Sequence, residues 1–311
     1  MTIIQLEYII AVDTYKSFAE AAGKCFVSQP ALSMQIKKIE EELGILIFDR
    51  SKKPVLTTDI GAQIIAQARE AVRQSYKIKE IVENERDEMG GELRVGIIPT
   101  LSPYLLPLFI TKFLKKYPNV KLVIEELLSS DIIYKLNNDL IDLGILVTPI
   151  NKKSLVEIPL FYESFMLYAS KTHSFANRTK INVDELKLDD MWLLKEGHCF
   201  RTQVANFCAD KSWENTGQLR FESGSLETLK RIVEHQSGYT LLPELATYGM
   251  EASKIRYLKS FNEPKPIREV SLVIHRSFMK KKLIDAFQEE ILTNIPSTLK
   301  SKNKGKVINW V

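Results

Sequence analysis

At 311 residues the chain is longer than one hydrophobic core usually serves, so two or three domains are expected. Its 45% hydrophobic and 26% charged content is that of a globular protein and excludes a disordered or fibrous chain. No uncharged apolar stretch is long enough to span a membrane. The N-terminus lacks a basic region and a small-residue cleavage site, and three cysteines are too few for a disulfide scaffold. These features point to a cytoplasmic protein with no membrane partner. The net charge of +4 equals the lysines at 300, 302, 304 and 306, so it marks a basic tail at 298–311, expected to fray, and not a nucleic-acid face.

The first 58 residues read as short helices with a tight basic loop. Leu6, Ile9 and Ile10 share one face of a first helix. Ser17 has the type and place of an N-cap for a second, with Phe18, Ala22 and Cys25 on one face. Cys25 reads as a core residue. Ser28 caps a third helix with Pro30 in its first turn, where a missing N–H costs little. Leu32, Ile36, Ile39 and Leu43 form that helix's buried stripe, and Gly44 ends it. A loop at 48–54 follows between short extended pieces. From 59 to 88 runs one long helical pattern in which Ile64, Ala71 and Ile78 recur every seven residues, with Ala68, Ser75 and Val82 four behind each. So narrow a seam predicts a partner helix, hence a dimer. Gly90-Gly91 then breaks the helix as a hinge.

Residues 92–297 change character. Apolar or β-branched runs at 93–98, 120–125, 142–147, 164–169, 191–194, 219–221, 239–242 and 270–275 predict strands. Helical patterns at 103–116, 200–211, 226–235 and 280–292 lie between many of them. Strands alternating with helices predict largely parallel sheets, and about eight strands fit two small α/β lobes better than one large sheet. Ligands in such folds bind at the carboxyl ends of strands or between lobes, where residues 99–102 fall.

Opposite its apolar stripe the third helix presents Pro30, Ser33, Met34 and Lys37, flanked by Gln29 and Lys38. A small and polar face of this kind suits base edges in a major groove, with Lys37, Lys38, Arg50, Lys52 and Lys53 available to phosphates. The spacing fits an ordinary amphipathic helix with a solvated face equally well. Glu40-Glu41-Glu42 at the helix end counts against DNA unless those residues point away from it.

Cys199 and Cys208 frame another helical pattern. Nine steps along a helix span about 13.5 Å and place the two sulfurs on opposite faces, whereas a disulfide needs Cα atoms within about 7 Å. Helix and Cys199–Cys208 bond therefore exclude each other. Cys199 follows Gly197 near the helix start, where the positive dipole end favours a thiolate, and His198 and Arg201 can add charge or hydrogen bonds. Such a thiolate can attack peroxide to give a sulfenic acid that a second thiol resolves. Both cysteines can equally be small buried core residues.

The run Ser17-Phe18-Ala19-Glu20-Ala21-Ala22, then Val27-Ser28-Gln29-Pro30-Ala31-Leu32-Ser33, then Phe48-Asp49-Arg50, resembles the winged helix-turn-helix of LysR-type transcriptional regulators. The resemblance implies an all-α winged helix-turn-helix DNA-binding domain at 1–58 and a dimerising linker helix at 59–88. These would join a two-lobed α/β regulatory domain at 92–297, Rossmann-like and periplasmic-binding-protein-like. It also implies double-stranded DNA at dyad-symmetric promoter sites as partner, self-association to a dimer or tetramer, and contact with RNA polymerase. Ser17, Gln29, Pro30, Ser33, Met34, Lys37, Lys38, Arg50 and Lys53 are the expected DNA-binding residues.

A narrower resemblance, to the peroxide-responsive branch of that family, rests on Glu196-Gly197-His198-Cys199, Arg201, Gln203 and Phe207-Cys208. It is extended by Gly96-Ile97-Ile98-Pro99-Thr100 and Gly238-Tyr239-Thr240-Leu241-Leu242-Pro243. It implies that Cys199 is the peroxidatic thiol and Cys208 the resolving one, with hydrogen peroxide as the signal and antioxidant genes as targets. Thr100 and Ser129 would offer hydroxyls to the peroxide, with His198 and Arg201 beside the thiol. Ser129 stands where that branch carries Thr, which keeps the hydroxyl; Glu125 stands where it carries His, which changes the local charge. No cofactor or metal is expected. The competing functions are a regulator answering a small organic effector, a thiol peroxidase, and a periplasmic solute-binding protein. The last fits the lobes but not the N-terminal domain.

Overall fold

A computed structural model describes residues 1–84, 89–208, 221, 223–276, 280–300 and 305–310. The chain divides into two compact units, one holding residues 1–87 and the other most of 88–311. In the first unit, α1 (Ile3–Tyr15) opens with a capping box between Thr2 and Gln5. Helix α2 (Phe18–Lys24) is capped by Ser17, and α3 (Gln29–Leu43) by Ser28 with Pro30 in its first turn. A two-stranded antiparallel wing, β1 (Phe48–Asp49) and β2 (Leu56–Thr57), precedes the long helix α4 (Asp59–Asn84). Leu6, Ile9, Val12, Ala22, Leu32, Ile36, Ile39 and Phe48 form the core. Cys25, just past the end of α2, is half-buried against it.

Two expectations need correction here. Leu43 is not in the buried stripe but exposed. Gly44, at φ 67°, turns the chain so that Ile45 N–H reaches Glu40 O and the Ile45 side chain takes the core position. In α4 the buried face is Ile65, Ala68 and Val72, within this unit's own core. Ala68 is therefore not available to a partner seam, while Ala71, Ile78 and Ile81 stay exposed.

The second unit begins at β3 (Gly91–Ile97), α5 (Ser102–Lys116), β4 (Val120–Glu126), α6 (Ser129–Asn137) and β5 (Leu143–Thr148). Then come β6 (Leu155–Ala169), β7 (Lys180–Ile181), α7 (Cys199–Phe207), α8 (Leu226–His235), β8 (Tyr239–Pro243), α9 (Ala252–Ile255) and β9 (Leu258–Phe261). The long strand β10 (Pro266–His275), α10 (Lys281–Asn294) and β11 (Lys306–Val307) complete it. The strands follow one hydrogen-bonded path, β4-β3-β5-β10-β6-β9-β7, with β8 on β6 and β11 on β10.

The sheet is mixed, which corrects the expectation of largely parallel strands. Strand β3 with its neighbours β4 and β5 builds the expected parallel βαβ arrangement and β9 lies parallel to β7, but β10 runs antiparallel to both β5 and β6. The two lobes share a continuous sheet because β6, at 15 residues, pairs with β10 along most of its length and with β8 at its far end. Phe109, Phe113 and Phe287 pack edge to face in the first lobe. Phe165, Tyr168, Val204, Leu229 and Leu241 lie in the core of the second. The run at 191–194 makes only isolated bridges, and that at 219–221 falls almost wholly outside the described residues.

Of the tail expected to fray, the described residues 298–300 and 305–310 are docked. Leu299 is fully buried, β11 pairs in parallel with β10, and Ile308 is buried. Once Val307 and Ile308 have apolar surface to cover, lysines on either side do not prevent the strand from adding to the sheet.

Candidate functional site

Cys199 is the first residue of α7 and Cys208 the residue just after it; both are free and buried. Gly197 turns into the helix at φ 92°, a backbone conformation that suits glycine. A helix of this length sets the two Cα atoms about 13.5 Å apart, so no bond between them is possible while α7 stands. Burial pushes the Cys199 thiol above its ordinary value. Ser129, the Arg268 charge and the N–H groups of Phe200 and Cys199 pull the other way. The helix start therefore acts in the expected direction but does not outweigh desolvation, and the resting group is a protonated thiol. Cys208, with burial as its only cause, is pushed up to about 12.

Arg268 and Glu163 form an ion pair with both side chains wholly buried. Arg268 Nε and Nη2 reach Glu163 Oε1 at 2.8 and 2.7 Å, and Glu163 Oε2 accepts from Leu245 N–H at 2.9 Å. The guanidinium continues to Thr100, with Nη1 to Oγ1 at 3.0 Å and Nη2 to the carbonyl at 3.3 Å, and lies over the Phe200 ring. One cation thus links the first turn after β3 to the ring beside Cys199. Sequence reading missed this pair, because 105 residues separate partners on different strands. The charged Glu163 inside an apolar run was the available signal.

Of the expected residues, Ser129 and Thr100 are buried, Ser129 against the thiol and Thr100 under Arg268. His198 is buried and its pKa is lowered by burial and by Lys195, so the ring is neutral near pH 7. Arg201 is directed elsewhere, donating to Leu194 O at 2.9 Å and facing Glu196. Among the described residues, four buried side-chain polar atoms lack a hydrogen-bond partner. Three of them are Ser129 Oγ, on the residue against the thiol, His198 Nε2, on the residue before Cys199, and Gln203 Oε1, one turn along α7. The Ser129 hydroxyl, against the thiol and without a partner of its own, marks a spot that a small polar guest would complete. Glu125 pairs with Lys135, which offsets its charge. No group of three metal-ligating side chains occurs among the described residues.

In the N-terminal unit, Gln29, Pro30, Met34, Lys37 and Lys38 stand exposed along α3, and Lys53 on the wing. Ser17 is used as a cap, accepting from Glu20 N–H. Arg50, expected at a phosphate, stays exposed at the surface while pairing within the domain. Its guanidinium donates to Ser33 Oγ at 3.0 Å and to Glu40 Oε2 at 2.8 Å, and lies over the Phe18 ring. Glu40 is buried and also accepts the N–H groups of Ile47 and Phe48, so it fixes the wing to α3 and does not face a duplex. Lys37 makes only a loose, exposed pair with Glu41. Lys37→Ala is expected to weaken binding to all DNA sequences alike and to lower the salt slope by about one, read by titrating binding at several salt concentrations. A changed base preference would contradict the phosphate role.

A helix-turn-helix unit followed by a two-lobed α/β unit with a candidate site in it defines a ligand- or signal-responsive DNA-binding regulator. The chain belongs to the LysR family. Residues 3–62 match the bacterial regulatory helix-turn-helix protein, lysR family, and residues 86–295 match the LysR substrate binding domain. A hydrogen peroxide-inducible genes activator of Haemophilus influenzae is 35% identical over 88% of this chain and 90% of its own. The solved structure of a full-length OxyR variant from Pseudomonas aeruginosa, 32% identical, superposes with a TM-score of 0.78 over 95% of this chain and 99% of that one. A hydrogen-peroxide-bound OxyR mutant from Corynebacterium glutamicum, 25% identical, has a TM-score of 0.58 over 94% of both chains.

Proposed function

We propose that this protein is a hydrogen-peroxide-responsive transcriptional regulator, switched by a reversible Cys199–Cys208 disulfide and acting on antioxidant genes. The observation that carries the proposal is a pair of buried free thiols at the two ends of one helix, with the Ser129 hydroxyl against the first. The names of the similar activators and OxyR structures support the same signal. Cys199 sulfur attacks one oxygen of the peroxide; an S–O bond forms, the O–O bond breaks and water leaves. Cys208 then attacks the sulfenic sulfur, and a second water leaves as the S–S bond forms. The proton of the resting thiol must first be given up, and the Ser129 hydroxyl and the Arg268 charge beside it favour its loss.

Closing the bond unwinds α7 and repacks the lobes, which alters how paired helix-turn-helix units sit on a dyad-symmetric promoter. Thr100 and Ser129 hold the peroxide oxygens, and exposed α3 residues from Gln29 to Lys38 read the DNA. The protein works in the cytoplasm as a dimer or tetramer that contacts RNA polymerase, and it is a regulator and not a thiol peroxidase with turnover. A second reading is favoured by one feature: a cavity of about 510 Å³, lined by Ile133, Ile150, Cys199, Thr202 and Trp310, is far roomier than peroxide needs. A small organic effector would fit it. A promoter reporter separates the two. With peroxide as signal, Cys199→Ala abolishes induction; normal induction of that variant by a metabolite overturns the redox reading.

A further inference from the structure

Helix α7 is gripped from outside by the end of the chain. Gln203 is fully buried and its Nε2 donates to Ile308 O at 2.6 Å; three residues on, Asn206 Nδ2 donates to Asn309 O at 2.9 Å. Residues three apart share a helix face, so the two amides meet two successive carbonyls of an extended segment. That segment is itself fastened to the sheet. Lys306 N–H donates to Lys265 O at 2.8 Å, Ile308 N–H to Ile267 O at 2.9 Å, and Trp310 Nε1 to Val147 O at 2.9 Å. At Gly305 an added Cβ would lie 2.0 Å from Lys265 O, so the close approach there requires glycine. Trp310 also lines the cavity that Cys199 and Thr202 share.

The grip depends on the helix. In α7 residues 203 and 206 are about 4.5 Å apart along the axis; in extended chain the same three steps span roughly 10 Å. Neighbouring carbonyls on a strand are only about 3.3 Å apart along it, so an unwound segment cannot keep both contacts. We propose that residues 305–310 form a C-terminal clamp on α7, stabilising the helix that keeps Cys199 from Cys208, and that the clamp lets go when the two are joined. The clamp thereby sets how readily peroxide closes the disulfide. This rests on the redox reading of α7, although the contacts can be tested without it.

Trypsin cleavage after Lys306 reports release, since β11 must leave the sheet to be cut. In full-length protein, cleavage is expected to be slow when reduced, and on the order of tenfold faster after peroxide. Cys208→Ser treated with peroxide should stay slow. The double variant Gln203→Met/Asn206→Ala, which keeps the tail, should be cut faster even when reduced and should form the disulfide on the order of tenfold faster than wild type. Equal cleavage in the reduced and disulfide-bonded wild type would overturn the coupling. If no disulfide forms at all, the redox reading fails; the reduced variant then still decides the clamp, because cleavage equal to wild type removes it.

Discussion

Cys208→Ser protein treated with one equivalent of peroxide is expected to stop at the Cys199 sulfenic acid, keep α7 helical and lose most of its transcriptional response. Oxidation of Cys199 alone adds one oxygen and demands no change in the backbone, whereas the bond to Cys208 must bring together ends about 13.5 Å apart. Only the second step carries enough constraint to remodel a nine-residue helix whose Val204 and Gln203 are buried. Trapping with a sulfenic-acid reagent and a promoter reporter check this together. Full peroxide-dependent transcription from Cys208→Ser would mean that the sulfenic acid itself is the signal.

The second large effect is one of stability. Glu163→Ala is expected to cost about 3–5 kcal/mol, because it leaves Arg268 buried and uncompensated and removes the acceptor of Leu245 N–H. Set against a total stability of about 5–15 kcal/mol, this threatens the regulatory unit outright. Thermal unfolding should show Tm falling by roughly 10 °C for a unit of this size. The charge would then no longer hold Thr100 and Phe200 in place, so survivors should also react more slowly with peroxide. A loss under about 1 kcal/mol would show that water or another acceptor replaces the carboxylate.

What could be read from the sequence was what is local. Ser17, Ser28 and Gly44 mark helix ends because a capping hydroxyl or a left-handed glycine acts within three residues of itself. The helix between Cys199 and Cys208 was legible for the same reason, and with it the opposition between helix and disulfide. The strand β6 was half hidden because Pro159 and the charged Glu157 and Glu163 interrupt its apolar pattern. The antiparallel β10, the Arg268–Glu163 pair and the docked tail depend on partners more than a hundred residues away, which periodicity does not report. The Arg50–Glu40 pair, ten residues apart, was hidden too, because nothing near Glu40 in sequence announces it as a buried acceptor. In each case composition gave the residue type correctly, and a distant partner decided its role.

Helix α7 and the Cys199–Cys208 bond exclude each other in one molecule. The direct measurement is peroxide titration of fully reduced protein, followed by peptide mass mapping without reductant and helix content from circular dichroism on the same samples. The expected result is a Cys199–Cys208 linked peptide appearing near one equivalent of peroxide, with helix content falling in step. Both thiols still free at large peroxide excess, or a linked pair with helix content unchanged, would contradict it.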